Sequence, residues 1–284
     1  MGDTRVWIGD FTRKEFRERM QAGVIKAAIV PISSTEQHQE HLHMCHDHIH
    51  CNKMCEEIAK RMHPNVLVAT PVNTGVSEHH MEVGPGTLTV RPEIFCEYVY
   101  DICESLVRTG IQNILILNGH GGNVKPMMYR FEEFQTRLNT AYEKATSTRV
   151  MSDEPSFAAP GHDSQAGPIN LRFQSYWDIY DPKLVFEHIE GGAAPGHACE
   201  FETSTMLHLW PERVSIADID PARPEALATP DKGEALWEPA ILGNVKLLSQ
   251  MIRRVSVDVE PVTFLNGSRV NMMTGQEVPG AAKL

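Results

Sequence analysis

The sequence predicts an α/β fold, a doubly wound and mostly parallel sheet flanked by helices. Three observations predict it. Short, almost uninterrupted apolar runs recur along the first half of the chain, as strands buried on both faces require. Between them lie longer segments with apolar residues at helical spacing, so strand and helix alternate. The most polar stretches directly follow the first and third apolar runs, which is where open α/β sheets carry their sites.

The elements follow in order. Ala27 to Ser33, AAIVPIS, reads as a first buried strand, preceded by a charged helix-like segment. The next residues, Thr35 to His50 (TEQHQEHLHMCHDHIH), hold six histidines, three carboxylates and one cysteine. His48 to Met62 is expected to be helical, with Ile49, Ile58, Ala59 and Met62 among polar residues. Val66 to Val72 is the second strand. Pro92 to Thr109 carries Ile94, Phe95, Tyr98, Val99, Ile102 and Leu106 at helical spacing, and Pro92 suits a first turn. Ile111 to Leu117 is the third strand; NGHGGN, Asn118 to Asn123, follows it, and then a helix over Val124 to Ala145.

Met151 to Gly196 is rich in Pro, Gly and aromatic residues and reads as long loops over the site with a short helix. Prolines recur from Asp218 to Lys232, an irregular surface segment, and Glu234 to Val255 is expected to be helical. No internal repeat or low-complexity tract interrupts the pattern. The reading is one domain over residues 1–284, with an extended tail over about 262–284.

Composition narrows the function classes. Hydrophobic residues make up 42% of the 284, enough for a sizeable core. Lys plus Arg is 26 against 37 for Asp plus Glu, a formal charge of −11 that disfavours nonspecific binding to nucleic acid or anionic membrane. No stretch approaches ~20 uninterrupted apolar residues, and no apolar run follows a basic start, so neither membrane span nor signal peptide is expected. The six cysteines form no CxxC pair set, which predicts reduced thiols and a cytoplasmic protein.

The polar stretches suggest a metal site. Glu36 and His38 are two apart, and in an extended segment both can share one face. Asp47 stands at the expected start of a helix, where it can cap the helix or bridge two cations. His120 comes from the end of another strand, and Glu202 in HACEFETS adds a carboxylate. Imidazole and carboxylate together suit zinc, manganese or iron. A two-metal site makes hydroxide near neutral pH and polarises a carbonyl, the two needs of hydrolysis. Gly121 and Gly122 let the backbone approach a metal or ligand and open the following helix. A tight strand-to-helix turn with an incidental histidine is the plainer reading of NGHGGN alone.

Taken together, these blocks resemble the creatininase family of metal-dependent amidohydrolases. The family's S-x-E-Q-H-G-P-H-L, followed by an Asp opening a helix, reads here as Ser34, Glu36, Gln37, His38, His41, Leu42 and then Asp47. Its N-G-H-G-G-N is unchanged at Asn118 to Asn123. Its H-A-G-x-x-E-T-S appears as His197 to Ser204 with Cys199 at the Gly, and its E-H-x-x-F-P-G-T is similar to Glu78 to Thr87. The four matches run in family order over about 170 residues.

The resemblance implies a creatininase-like fold with two divalent cations, zinc being expected and manganese or iron the alternatives. It assigns Glu36, Asp47 and His120 to one cation, and His38, the shared Asp47 and a further Glu to the other. In creatininase that Glu lies two residues beyond the histidine of the third-strand motif, where this chain has Gly122. Relatives with the two glycines use the Glu of E-T-S instead, so the resemblance implies Glu202 as the ligand, joining His197 as the catalytic pair. His197 matches a family histidine that shuttles a proton. Glu78, His79 and His80 read as a substrate-facing patch, with an exposed polar loop as the alternative; Gly121, Gly122 and Trp177 are the other expected substrate-facing residues, and the Glu200 carboxylate is expected to be solvated.

Departures bear on the substrate. Gln39 and Glu40 replace the family's Gly-Pro, and HMCH replaces its small apolar residues before Asp47. His43, His46, His48 and His50 have no clear counterpart as ligands and are expected mostly as outer partners of the ligands, subunit-interface or surface residues. The pocket tryptophans of creatininase have no evident match, so creatinine itself is not the expected substrate.

The resulting expectation is a hydrolase that opens a small polar ring, with metal-generated hydroxide attacking the carbonyl of a cyclic amide. One alternative is ring-opening C–C hydrolysis of a cyclic dicarbonyl sugar or oxidised inositol such as a dehydro-inosose, since some family members belong to sugar or inositol pathways. Another is a non-catalytic metal-binding protein. A zinc peptidase is disfavoured because H-E-x-x-H is missing. The resemblance also implies a homo-oligomer, often a hexamer.

Overall fold

The computed structural model describes residues 3–149, 167–191, 194–255, 262–265 and 268–271. Its main sheet has four parallel strands in the order β2-β1-β3-β4: β1 (Ala27–Ile32), β2 (Val66–Val68), β3 (Asn113–Asn118) and β4 (Asn170–Ser175). Every residue of β1 and β3 is buried, which explains their unbroken apolar sequences.

Side chains alternate between the two faces of the sheet. Ala28, Val30, Ile32, Ile114 and Ile116 pack on Phe95, Val99 and Cys103 of α3 (Pro92–Thr109) and on Phe134 and Leu138 of α4 (Val124–Arg149). Ala27, Ile29, Leu115 and Leu117 pack on Met54 and Ile58 of α2 (His46–Arg61) and on Leu236 and Leu248 of α7 (Pro230–Arg253). Helices on both faces make the sheet doubly wound.

Helix ends obey local chemistry. The charged segment before β1 is α1 (Arg13–Gln21), closed by a capping box in which Thr12 Oγ1 accepts from the Glu15 N–H and Glu15 Oε2 accepts from the Thr12 N–H. Pro92 opens α3, and Gly110, at φ 105°, ends it in the left-handed conformation. On the outer side, Arg137 donates to both oxygens of Glu97 (3.0 and 2.9 Å) and Arg130 donates to Glu97 as well, tying α4 to α3.

The register sets the site. Ile32 pairs with Asn118, and Asn118 with Ser175, so β1, β3 and β4 end level. The histidine-rich segment and NGHGGN therefore leave from one rim, as expected. Several boundaries differ from expectation. β2 ends at Val68; the chain pairs again with the end of β1 only through Val72, because Pro71 has no N–H for the ladder. α2 begins at His46, and α7 begins at Pro230, where Thr229 caps it.

The largest difference is β4, which falls inside a region expected to be loops. Only Leu171 and Phe173 mark its apolar face, and a partner strand already in place specifies the rest. It leads into a turn over Tyr176–Ile179, α5 (Pro182–His188) and, after a loop, α6 (Glu200–Leu209). The expected loops over 150–166 lie outside the described residues. Of the expected extended tail, Val262–Leu265 and Ser268–Asn271 form an antiparallel hairpin, β5 and β6, and 272–284 lie outside the described residues.

Candidate metal centre

Four segments converge at the rim. The loop after β1 supplies Glu36 and His38, the first turn of α2 supplies Asp47, the loop after β3 supplies His120, and the first turn of α6 supplies Glu202. All five side chains are buried. Gln39, at φ 54°, turns the chain sharply after His38, so that Leu42 returns to bridge His38. Asp47 does not cap its helix. Its Oδ1 lies 3.0 Å from His38 Nε2 and its Oδ2 2.9 Å from His120 Nδ1, so one carboxylate faces two imidazoles from different loops. Glu36 Oε1 lies 3.2 Å from the same His120 Nδ1. Glu202 Oε2 accepts from the Ala198 N–H at 2.6 Å and lies 3.9 Å from His38 Nε2.

The outer nitrogens of both histidines are already committed. His120 Nε2–H donates to the Val76 carbonyl at 3.0 Å, with Ser77 Oγ at 3.2 Å. His38 Nδ1–H donates to the Glu36 carbonyl at 3.2 Å. That leaves His120 Nδ1 and His38 Nε2 aimed at carboxylates, the arrangement by which proteins fix metal-binding imidazoles. Glu36 Oε2 and Asp47 Oδ2 are buried without a hydrogen bond among the described residues.

The electrostatics agree. Burial alone would push both imidazoles down, yet Asp47, Glu36 and Glu202 outweigh it and raise His38 to about 9; Asp47 and Glu36 raise His120 to about 10. Burial works against the Asp47 and Glu202 carboxylates, but the facing histidines hold both below their ordinary values. Two buried carboxylates with unmatched oxygens, Glu36 and Asp47, cost several kcal/mol each unless positive charge joins them. Divalent cations fit this donor set of imidazole nitrogen and carboxylate oxygen.

Glycines shape the floor. A Cβ at Gly122 would overlap the Val76 carbonyl and lie 2.5 Å from His120 Nε2 and 2.8 Å from His79 Cε1, so no side chain, glutamate included, fits there. Gly121, in contrast, faces open space, so the sequence motif needs only its second glycine for clearance.

Above the ligands lies a cluster of neutral polar groups. The Gln37 side-chain carbonyl accepts from the Gln39 N–H at 3.0 Å, which turns the Gln37 amide toward His80 Nδ1 (2.9 Å) and His197 Nε2 (3.0 Å). Those nitrogens must accept, so the protons sit on His197 Nδ1 and His80 Nε2, which lie 3.7 and 3.6 Å from Glu36 Oε1. The two rings stack with centroids 4.1 Å apart. Burial, and then His38, hold His197 below its ordinary value. Ala198, at φ 50°, is in a conformation uncommon for a residue with a Cβ. Its N–H bond to Glu202 helps to keep His197 turned toward Glu36.

Other expected site residues are distributed differently. Glu78 is exposed on the turn Glu78–His80, and no contact brings it to the cluster. Trp177 packs in the core with Val185 and Phe201, lining a small apolar cavity with Tyr180, away from the carboxylates. Glu200 is fully buried rather than solvated: its Oε2 accepts from the Glu190 N–H (2.9 Å) and the Gly191 N–H, and Lys232 pairs with Oε1. Of the histidines without family counterparts, His43 is exposed, His48 meets Thr35 Oγ1 at 3.2 Å, and His50 packs against Tyr176 and Trp237. His46 is the one of these nearest the expected ligands. It is buried beside His38 and its Nε2 lies 3.7 Å from Glu202 Oε1. His79, on the opposite side, groups with Glu36 and His120. His46 adjoins Asp47 in sequence and His79 adjoins His80, but only the three-dimensional arrangement distinguishes them from their neighbours.

The chain is similar to known proteins along most of its length. The creatininase family model, described as creatinine amidohydrolase, matches residues 9–245. Creatinine amidohydrolase of Pseudomonas putida is 26% identical over 271 residues, covering 84% of this chain and 94% of that protein. The 3-dehydro-scyllo-inosose hydrolase of Thermotoga maritima is 32% identical over 119 residues, 42% of this chain and 37% of that one. A solved manganese creatininase superposes with a TM-score of 0.63 at 22% identity, covering 87% of this chain and 99% of its own.

Proposed function

The chain belongs to the creatininase family of metal-dependent hydrolases, and on that premise we propose that it opens a small polar ring by adding water to a carbonyl carbon, the bond broken being the C–N bond of a cyclic amide. The observation that carries this reading is the Asp47 carboxylate, whose two oxygens face His38 Nε2 and His120 Nδ1 at 3.0 and 2.9 Å. Glu36 and His120 would hold one cation, His38 and Glu202 the other, and Asp47 both. Zinc is the expected metal, with manganese or iron as alternatives. When bound, such cations lower the pKa of water and polarise a carbonyl oxygen.

The chain's own groups provide the rest. His197 Nδ1, directed at Glu36 and only half-buried, is the atom that exchanges a proton with the reacting groups. Held neutral near pH 7 with its proton on Nδ1, it can give that proton to the leaving nitrogen as the C–N bond breaks and take one back from the water that has added to the carbonyl carbon. Gln37 fixes which ring nitrogen is available. His80, stacked on His197, presents a second N–H to the same space. The Val76 carbonyl and Gly122 hold His120 in place from behind.

A second reading has its own support. The groups above the ligands are amide and imidazole, suited to a ring bearing hydroxyl and carbonyl oxygens, and Trp177 does not line this space. The segment similar to the dehydro-inosose hydrolase points the same way. In that case water adds to one carbonyl, a C–C bond breaks, and the leaving carbon departs as an enolate that takes the proton.

The test combines metal analysis of the purified protein with a turnover screen of cyclic amides against cyclic dicarbonyl sugars and inososes. Two cations per chain with turnover of cyclic amides supports the first reading, and turnover confined to dicarbonyl rings selects the second. Two cations without turnover of either panel overturns ring opening.

A further inference from the structure

His46 stands where the family motif carries small apolar residues, and it does not behave as a surface or interface histidine. It is 1% exposed, and its Nδ1 has no hydrogen-bond partner among the described residues. Its Nε2 lies 3.7 Å from Glu202 Oε1, too long for a hydrogen bond. A buried imidazole left in this state is unfavourable unless something else engages it.

The spacing identifies what engages it. Ligand bonds of about 2.0–2.2 Å at tetrahedral angles hold donor atoms roughly 3.3–3.6 Å apart. His38 Nε2 is 3.0 Å from Asp47 Oδ1 and 3.9 Å from Glu202 Oε2, and His46 Nε2 is 3.7 Å from Glu202 Oε1. One donor atom from each of His38, His46, Asp47 and Glu202 lies within 4.8 Å of all the others, and all four side chains are buried. Ala198 already occupies Glu202 Oε2 at 2.6 Å, which leaves Oε1, the oxygen nearer His46, to turn inward.

We infer that His46 is a fourth protein ligand of the cation held by His38, Asp47 and Glu202, making that position a closed two-nitrogen, two-oxygen seat. The inference rests on the two-cation reading above. It makes the two seats unlike. The His38–His46 seat, with two imidazoles, prefers zinc over manganese. The Glu36–His120 seat has a single imidazole from the proposed ligand set. In this chain the first cation is therefore the tightly held one and the second the exchangeable one.

The experiment measures metal binding rather than turnover. Wild type, His46→Ala, His46→Gln and His43→Ala, the last an exposed histidine of the same segment, are stripped, checked for native circular dichroism, and titrated with zinc against a chromophoric chelator. Cobalt absorption spectra are recorded in parallel. Wild type and His43→Ala are expected to take two zinc ions, one markedly tighter. Both His46 variants are expected to weaken the tight site by at least roughly tenfold, with a changed visible cobalt band. His46→Gln guards against a folding defect in the alanine variant. Two sites of wild-type affinity and an unchanged cobalt spectrum in both His46 variants overturn the inference while leaving the two-cation reading intact. A wild-type protein that takes up no zinc overturns that reading, and the inference with it.

Discussion

Glu36 Oε1 lies 3.2 Å from His120 Nδ1, although one residue belongs to the loop after β1 and the other to the loop after β3. The parallel register produces this contact: Ile32 is level with Asn118, so both loops start at the same height and bend the same way. Asp47 then enters between them because α2 begins at His46 and turns its first helical residues toward the rim. Three separated sequence blocks thus meet through one pair of neighbouring strands.

On the proposed reading both cations depend on Asp47. Asp47→Ala is expected to lose both and to lower turnover by on the order of 10³-fold or more. Its thermal stability should no longer respond to zinc, whereas wild type at about 100 times Kd gains about 2.7 kcal/mol. Metal analysis and melting curves with and without chelator decide it. Full metal content in the variant removes Asp47 from the centre.

On the proposed reading His197 moves a proton and does not hold metal. His197→Gln should keep the wild-type metal content and lower kcat by about 10²- to 10⁴-fold. Burial and the neighbouring His38 hold its imidazole below the ordinary 6.5, so it is neutral at pH 7. The acid limb of the wild-type rate profile should therefore fall below pH 6.5, and the variant should lack it. An unchanged kcat, or the same acid limb in the variant, assigns the proton transfer elsewhere.

Much of this was legible in the sequence. The buried strands β1 and β3 show as apolar runs because both their faces are covered, and α3 shows from end to end because Pro92 and Gly110 mark its limits. The expected ligands Glu36, His38, Asp47 and His120 stand beside such strands, where polar residues are conspicuous. β4 was not legible: Leu171 and Phe173 are too few to set a period, and its place is fixed by pairing with β3. Trp177 was misplaced because composition does not tell which way an aromatic side chain turns after a strand. His46 was obscured by five other histidines nearby, since proximity to Glu202 arises only when α6 packs against the rim.

The two glycines of NGHGGN should separate cleanly on substitution. Gly121→Ala adds a Cβ in open space and should change stability by no more than about 0.5 kcal/mol, with normal metal content. Gly122→Ala drives a Cβ into the Val76 carbonyl and the His120 ring, so the strand-to-helix turn must shift. It should cost about 1–3 kcal/mol and loosen the cation held by His120. Denaturant titration together with metal analysis distinguishes the two, and equal effects would mean that Gly122 does not set the position of His120.

Metal uptake should displace protons. In the metal-free protein the surrounding carboxylates raise His38 to about 9 and His120 to about 10, against the burial that opposes them, so both rings are protonated at pH 7. A cation needs His38 Nε2 and His120 Nδ1 without their protons, so loading the centre should release up to two. Apparent affinity should then climb as pH rises toward 9–10, by up to tenfold per pH unit for each proton displaced. The same raised values stabilise the metal-free fold fully below about 6.5, and that contribution disappears as pH passes through 9–10. Metal-free and loaded proteins should therefore diverge in stability as pH increases, the loaded form gaining. Calorimetric titration with zinc in two buffers of different ionisation enthalpy reads the protons directly. Equal heats in both buffers at pH 7 would mean that the two imidazoles are already neutral before the metal arrives.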